Sequence, residues 1–341
     1  MPLGWAIIST GRHPDQKMAP AINAAGSEIV AVVSRDRGRA QAFAEKHGVR
    51  TAYEDVGAML RDPAVDVVYV ASPNHLHAEH VVKAAAAGKH VLCEKPMALT
   101  REDCQQMIDA CAQADVRLGV GFHLRYHPGH QRLREVVQDG SLGTVGLVQA
   151  QWVNGVRGQT APPPRPPLQQ WWEAPEMAGA GGFMGTGVHC ADLLRYVLDD
   201  DVVEVSAITD GQRDDQPLEH LATLLLRFRS GTMGIIATGR RLPDSLNDIV
   251  VYGSDGRGGV HGSLFVSLQG RFYAVGENVN EEQSYEPPDP LSLYTKQVEA
   301  FNRSVEEGTE PVASGLDGLR AAEVTLAMVE SARTGRLIRI E

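Results

Sequence analysis

Short apolar segments alternate with helical segments up to about residue 121, and this alternation constrains the fold more than any other feature of the sequence. The segments Trp5–Ile8, Ile29–Val33 and Val65–Val70 are almost wholly apolar, which is typical of strands buried on both faces of a parallel sheet. Arg37–His47 has a helical composition, and Gly48 follows it, as expected at a helix C-terminus. The repetition predicts a doubly wound α/β domain whose parallel sheet is covered by helices.

After residue 121 the apolar residues alternate with polar ones, which predicts strands with one packed face and one free face. The expected strands are Gly146–Val153, Glu204–Thr209, Ala222–Arg229, Thr232–Thr238, Asp248–Tyr252 and Val260–Val266. Two helices, Leu293–Glu307 and Leu316–Arg333, are expected near the end of the chain. We therefore predict two domains, a doubly wound domain over residues 1–121 and an α/β domain with an open, mainly antiparallel sheet over residues 122–341.

The composition excludes several classes of protein. The 341 residues include 32 Lys and Arg against 43 Asp and Glu, a net charge of −11, which argues against a broad nucleic-acid-binding surface. No apolar run approaches the roughly 20 residues of a membrane helix, and we expect no signal peptide from the segment Met1–Trp5. The four cysteines form no CxxC pair. We expect a cytoplasmic protein without a bound metal and without nucleic-acid or membrane partners.

The segment Ser9-Thr10-Gly11-Arg12-His13-Pro14 follows the first predicted strand, where a doubly wound fold places its phosphate-binding turn. Of the pattern Gly-x-Gly-x-x-Gly, only the middle glycine is retained, as Gly11. A glycine there lets the backbone approach a pyrophosphate at a helix N-terminus. A plain polar loop is the alternative. The predicted dinucleotide contacts are Ser9, Thr10, Gly11 and Arg12.

The end of the second predicted strand, Val33-Ser34-Arg35-Asp36-Arg37-Gly38-Arg39, addresses the choice of dinucleotide. A site for NAD places an acidic residue there to bind the ribose 2′-hydroxyl, whereas a hydroxyl and arginines suit a 2′-phosphate. We therefore predict NADP. NAD is the alternative, because the nearby Asp36 can pair with one of these arginines and so weakens the argument for NADP. The alternative for the arginines is that they only begin a solvated helix. The predicted contacts are Ser34, Arg35 and Arg39.

Three further motifs carry a family resemblance. The segment Ala71–His80 contains Asn-x-x-His, Gly88–Pro96 contains Glu-Lys-Pro, and Gly181–Asp192 combines a glycine-rich turn with His-x-x-Asp. Together they resemble the Gfo/Idh/MocA oxidoreductases, the family of glucose–fructose oxidoreductase and inositol dehydrogenase, over essentially the whole chain. The resemblance implies a Rossmann NAD(P)-binding domain followed by an α/β domain with an open sheet. It also implies reversible hydride transfer between a nicotinamide cofactor and a sugar, keto-sugar or polyol.

The resemblance implies roles for individual residues. Lys95 is expected to be catalytic and His189 to handle a proton, since histidine, and a lysine whose pKa is lowered, exchange protons near neutral pH. Asp192 is expected either to bind substrate hydroxyls or to orient His189. The other residues expected to contact the substrate are His123 and Arg125. The residues expected to contact the cofactor in these motifs are Ser72, Asn74, His77, Glu94 and Lys95.

One departure from the family pattern leaves the substrate open. The family commonly has Asp four residues before the motif histidine, and this chain has Gly185. The runs His90–Pro96, His123–Arg125 and Val188-His189 with Asp192-x-Leu194-Arg195 resemble those of family members that reduce the keto-sugar 1,5-anhydrofructose, and this resemblance implies a related substrate. The alternatives are a dehydrogenase of a non-sugar cyclic diol and a non-catalytic sensor that binds a dinucleotide. The open sheet predicts a homo-oligomer, because a large exposed apolar face is unusual on a monomer.

Overall fold

The computed structural model describes residues 2–159 and 162–340, and the chain divides into two compact units. The first unit comprises Met1–Gly121 and Pro290–Leu319, and the second comprises Phe122–Asp289 and Arg320–Glu341. The segment Pro290–Leu319, which the sequence assigned to the second domain, therefore lies in the first compact unit.

The first unit contains a six-stranded, wholly parallel sheet in the order β3-β2-β1-β4-β5-β6. This order is that of a doubly wound nucleotide-binding fold, so the predicted fold class is confirmed for this half. The strands are β1 Gly4–Ile8, β2 Glu28–Val33, β3 Thr51–Tyr53, β4 Val67–Val70, β5 His90–Cys93 and β6 Leu118–Val120.

Helices connect these strands, and local signals fix their ends. A π-helical turn, Pro14–Met18, leads into the first helix. The Asp36 carboxylate caps the second helix by accepting the Arg39 N–H at 2.8 Å, and Gly48, at φ +69°, ends it. The helices are α1 Ala19–Ala24, α2 Arg37–His47, α3 Val56–Leu60, α4 His77–Ala86 and α5 Arg101–Gln113.

The second unit contains a nine-stranded sheet in the order β14-β13-β12-β11-β7-β10-β9-β8-β15. Only β7 and β10 pair in parallel, so the sheet is mainly antiparallel, as predicted. The elements before the last two helices are α6 Pro128–Gln138, β7 Val145–Val153, α7 Pro175–Ala178, α8 Val188–Leu198, β8 Val202–Thr209, β9 Leu221–Phe228, β10 Met233–Gly239, β11 Ile249–Gly253, β12 Gly256–His261, β13 Leu268–Gly276 and β14 Asn280–Asp289.

Two helices near the end of the chain complete the units. The helix α9, Ser292–Glu307, buries Tyr294, Val298 and Phe301 in the core of the first unit. The helix α10, Gly315–Thr334, precedes the short strand β15, Ile338–Arg339, which pairs with β8.

One strand prediction is wrong in its extent. The sequence predicted Val260–Val266 as a strand, whereas β12 ends at His261. Gly262 adopts φ +63°, which takes the chain out of the extended conformation.

One face of the second sheet is packed and the other is exposed. The helices α6 and α8 pack on the sheet, and the residues of β9 alternate between buried and exposed. The exposed side chains include Ile208 and Leu225, which are 81% and 58% accessible. In the described residues we find no helix of the length and apolar character that crossing a membrane requires.

Candidate functional site

The turn after β1 has a conformation suited to the predicted dinucleotide contact. Ser9 adopts φ +110°, and its Oγ accepts the Gly11 N–H at 3.1 Å, so a serine shapes the turn where the pattern has its first glycine. A Cβ on Gly11 would lie 3.3 Å from that Oγ, and its absence leaves the backbone open to a ligand. Thr10 is half-buried, and Arg12 is exposed, with its Nε donating to Gln16.

The turn after β2 separates the acidic residue from the arginines. The Oγ of Ser34, which is 9% exposed, accepts the Asp36 N–H at 3.3 Å. Asp36 is committed to capping α2, and its Oδ2 lies 3.9 Å from the Arg39 Nε. Arg35 is exposed. The end of β2 therefore carries the Ser34 hydroxyl and the Arg35 guanidinium, whereas the Asp36 carboxylate caps α2.

Glu94 follows β5 with a largely buried side chain. Its Oε1 accepts the Tyr69 hydroxyl at 2.7 Å and lies 3.1 Å from the His13 Nε2, and its Oε2 accepts the Lys95 N–H at 3.2 Å. Burial by itself would raise the pKa of Glu94, but His13, Lys95 and the Tyr69 hydrogen bond outweigh it and hold the pKa at about 2. Glu94 is therefore an anion at neutral pH.

His13 is a site residue that the sequence reasoning missed. It occupies the turn between the Gly11 position and Pro14, and its ring packs edge-on against Tyr294 with centroids 5.3 Å apart. The available signal was its place inside the degenerate phosphate-binding motif, directly before Pro14.

The ends of β4 and β5 bring the Asn-x-x-His and Glu-Lys-Pro motifs to one edge of the sheet. Ser72, Asn74 and His77 are all buried, and Lys95 is half-buried in the turn after β5. The His77 ring nitrogens lie 2.9 Å from the Pro96 carbonyl oxygen and 2.8 Å from the Ser72 carbonyl oxygen. Both nitrogens of this predicted cofactor contact are thus occupied by backbone oxygens.

In the second unit, His189 lies in an aromatic enclosure at the start of α8. It is 3% exposed, and its ring centroid is 4.7 Å from that of His123, 5.4 Å from Trp152 and 5.9 Å from Phe122. His123 donates from Nε2 to the Phe265 carbonyl at 3.1 Å, because a carbonyl oxygen only accepts. The structure therefore brings two predicted site residues, His123 and His189, into contact.

The other two predicted substrate residues are paired with each other. Arg125 donates from Nε to Asp192 Oδ2 at 2.9 Å and from Nη2 to Oδ1 at 2.6 Å, with exposures of 4% and 1%. The Arg125 guanidinium also lies 5.0 Å from the ring centroid of Tyr196. A bidentate pair of this kind fixes both side chains rigidly.

The glycine-rich turn before His189 packs against a buried carboxylate that the sequence reasoning missed. Glu219 is 0% exposed and accepts N–H bonds from Gly181 at 3.0 Å and from Phe183 at 2.9 Å. A Cβ on Gly181 would lie 1.9 Å from the Glu219 carbonyl oxygen, so glycine is required there. Nothing in the local sequence distinguishes Glu219 from an ordinary loop residue.

The position of the family aspartate is open. Gly185 lies in the π-helical turn Phe183–Gly187, and a Cβ built on it meets no heavy atom within 4 Å. Residues 2–159 and 162–340 contain no group of three or more His, Cys, Asp or Glu side chains arranged to hold a metal ion.

Two family models match the chain in succession. Residues 3–122 match the model described as "Oxidoreductase family, NAD-binding Rossmann fold", and residues 130–258 match the "GFO/IDH/MocA C-terminal domain".

Relatives of known name match over most of the chain. The 1,5-anhydro-D-fructose reductase of Ensifer adhaerens is 33% identical over 99% of this chain and 98% of its own. The myo-inositol 2-dehydrogenase of Thermotoga maritima is 31% identical over 89% of this chain and 88% of its own. Among solved structures, the aldose-aldose oxidoreductase of Caulobacter crescentus, complexed with glycerol, has a TM-score of 0.86 at 28% identity, with all of both chains covered.

Proposed function

Because this chain belongs to the Gfo/Idh/MocA oxidoreductase family, we propose that it transfers a hydride between a nicotinamide cofactor and a sugar, keto-sugar or polyol. The observation that carries the proposal is the position of Glu94-Lys95-Pro96 at the carboxyl end of β5, on the same sheet edge as the turn after β1. Doubly wound sheets bind their ligands at this edge.

The residues of the first unit fit a dinucleotide. We assign Ser9, Thr10, Gly11 and Arg12 to the pyrophosphate, because Gly11 leaves the backbone uncovered beside an exposed guanidinium. We propose NADP as the preferred cofactor, since Asp36 is committed to its helix cap while Arg35 is exposed. The remaining assigned contacts are Ser34, Arg39, Ser72, Asn74 and Glu94. His77, which the family resemblance also implied as a contact, has both ring nitrogens engaged by backbone oxygens.

Lys95 and His189 are the proposed proton-handling groups. The bound cofactor would supply the hydride acceptor or donor, and the chain must remove or supply the hydroxyl proton. Lys95 lies beside the anionic Glu94 and helps to lower the pKa of that carboxyl, and a lysine in this place could also polarise a carbonyl oxygen. His189 is buried among aromatic rings that exclude water, which strengthens its electrostatic interaction with a bound hydroxyl.

The proposed substrate class is a keto-sugar or a cyclic polyol, because the relatives include a reductase of 1,5-anhydro-D-fructose and a dehydrogenase of myo-inositol. We assign His123, Arg125 and Asp192 to the substrate side. His123 would contact the substrate directly, while the Arg125–Asp192 pair, fixed by two hydrogen bonds, would supply polar groups beside it.

The test follows NADPH and NADH consumption with 1,5-anhydrofructose and a panel of keto-sugars, and NADP⁺ and NAD⁺ reduction with myo-inositol. We expect turnover with NADPH and a loss of about 10²–10⁴-fold in kcat for Lys95→Met. The control is Lys83→Met, which removes an exposed lysine paired with Glu79. Tight NADPH binding without turnover of any substrate would favour the sensor, and binding of neither dinucleotide would overturn the proposal.

We also propose that the exposed face of the second sheet joins copies of this chain. Ile208, Leu225 and Met233 are 81%, 58% and 55% exposed on adjacent strands, and contiguous exposed apolar side chains of this kind can mark a protein–protein contact. Leu225→Asp should convert an oligomer into monomers in light scattering, whereas the exposed-loop control Leu246→Asp should not. A wild-type monomer at micromolar concentration would contradict the proposal.

A cytoplasmic location completes the proposal. The four cysteines are all buried and none belongs to a CxxC pair, which suits a reducing compartment. Localisation of the tagged protein by cell fractionation checks this assignment.

A further inference from the structure

His77 joins two loops at the carboxyl edge of the first sheet. It is the first residue of α4 and is 1% exposed. Its Nδ1 lies 2.9 Å from the Pro96 carbonyl oxygen, and its Nε2 lies 2.8 Å from the Ser72 carbonyl oxygen. Ser72 follows β4 and Pro96 follows β5, and these strands are neighbours in the sheet. One of the joined loops therefore carries Lys95, directly before Pro96.

The hydrogen bonds of His77 require two ring protons. Both partners are carbonyl oxygens, which only accept hydrogen bonds, and a neutral imidazole carries a single N–H. The neutral ring can donate to one carbonyl, but it then turns a nitrogen lone pair toward the other oxygen. The imidazolium donates to both. The two contacts are therefore satisfied together only in the doubly protonated ring.

Burial, hydrogen bonds and nearby charges all affect the pKa of His77. Burial lowers the pKa of His77 from its ordinary value, and the two carbonyls and Glu94 act in the opposite direction. Burial also lowers the pKa of His80 to about 4, so His80 is neutral near pH 7. The second proton on His77 is therefore bound on the acid side of the ordinary histidine range. The other charged or titratable groups in the adjoining segments are Lys95, His75, Glu79 and Lys83.

We propose that His77 is a positioning residue for Lys95, which holds the Ser72 and Pro96 carbonyls together through both ring nitrogens and releases one of them when the ring loses its second proton. We call these three groups the His77 clamp. The proposal rests on the proposed function only in taking Lys95 to be a catalytic residue. In this role His77 does not bind the cofactor through its ring nitrogens, because both are already engaged by the protein.

The kinetic test compares His77→Gln and His77→Phe with His75→Gln, a matched control at an exposed histidine two residues earlier. A glutamine carries both of its donor hydrogens on one nitrogen, so it does not reproduce donors at two separate ring nitrogens. On the acid side of the His77 titration, where the wild-type ring holds both carbonyls, we expect kcat to be about tenfold or more lower in both variants, with the Kd for NADPH changed less than about twofold. The wild-type kcat should decline as the pH rises through the His77 titration, and this decline should be absent from both variants. An increase in the NADPH Kd alone, or kinetics equal to those of His75→Gln, would overturn the proposal.

A second measurement on the wild-type protein needs neither turnover nor a variant that folds. Nitrogen NMR of ¹⁵N-histidine-labelled protein, from the most acidic pH at which the protein stays folded to about pH 9, reports the protons on each ring nitrogen. We expect both His77 nitrogens to be protonated at the acid end, with slower amide exchange in the segment Glu94–Met97 than at the alkaline end. A singly protonated ring throughout, or exchange in this segment that ignores the His77 titration, would overturn the clamp. Absence of turnover with every substrate would count against the proposed function alone, because the NMR titration tests the clamp without any substrate.

Discussion

Glu94 in the first unit and Asp192 in the second are both buried carboxylates, but they are held in different ways. Glu94 shares its oxygens among the Tyr69 hydroxyl, the His13 ring and the Lys95 backbone. Asp192 receives two bonds from the single guanidinium of Arg125. Substitution of one partner of Glu94 should therefore remove only one of its contacts. Substitution of Arg125 should remove both of these hydrogen bonds from Asp192 at once.

The largest expected effect comes from leaving Asp192 without Arg125. Arg125→Met should lower the free energy of unfolding by about 3–5 kcal/mol, because a buried carboxylate is deprived of its bidentate partner. Urea unfolding measures the change. The double variant Arg125→Met/Asp192→Leu should recover most of the loss, since it buries no charge. Equal stability of the single and double variants would contradict the all-or-none behaviour of this pair.

The corresponding change at Glu94 should be smaller and depend on pH. The folded-state pKa of about 2 lies below the ordinary carboxyl value of 4.5, so the anion stabilises the fold above pH 4.5 and this contribution is lost as pH falls toward 2. Glu94→Gln should therefore cost about 2–3 kcal/mol at pH 7, and the gap to wild type should narrow in acid.

The control for Glu94→Gln is Glu79→Gln, which removes an exposed carboxylate paired with Lys83. An exposed pair contributes about 0–1 kcal/mol, so this variant should stay close to wild type at every pH. A stability gap for Glu94→Gln that is constant from pH 7 to about pH 2 would show that the Glu94 charge does not contribute.

A third prediction concerns cofactor choice at the first unit's edge. Arg35→Ala should raise the Kd for NADPH about 10–100-fold and leave the Kd for NADH nearly unchanged, because only the 2′-phosphate offers a charge-assisted bond. Fluorescence titration measures both constants. Arg37→Ala, which removes a neighbouring exposed arginine, is the matched control. Equal losses for NADPH and NADH would mean that Arg35 acts on the shared part of the dinucleotide.

The positions of the first unit's proposed site residues in the fold could be predicted from the sequence, because each residue lies in a short segment at the end of a strand. Ser34, Arg35, Glu94 and Lys95 all directly follow buried apolar strands, and parallel strands bring their carboxyl ends to one edge. What the motifs could not show is the use of each side chain. The pairing of Glu94 with His13 and the engagement of both His77 nitrogens depend on distances between separate segments.

The second unit was less predictable. Glu219 and the Arg125–Asp192 pair are joined to their partners across long sequence separations, which leave no local pattern. The strands β13 and β14 were missed for another reason. At the sheet edge, β14 contains three glutamates and two prolines, residues that edge strands tolerate and that erase the alternation used to recognise strands.

The smallest expected effect tests whether the second unit can accept the acidic residue that the family commonly carries. A Cβ at Gly185 meets no heavy atom within 4 Å, whereas one at Gly187 would lie 2.3 Å from the Phe183 ring. Gly185→Asp should therefore change the free energy of unfolding by less than about 1 kcal/mol, while the control Gly187→Asp should cost several times more. Since residue 185 precedes His189 by one helical turn, the new carboxylate lies on the same face. We expect substrate preference, measured as relative kcat/KM across the sugar and polyol panel, to change more than stability does. If Gly185→Asp were as unstable as Gly187→Asp, the prediction would be contradicted. That result would show that the second unit, which already buries the Asp192 carboxylate, does not tolerate another carboxylate at position 185.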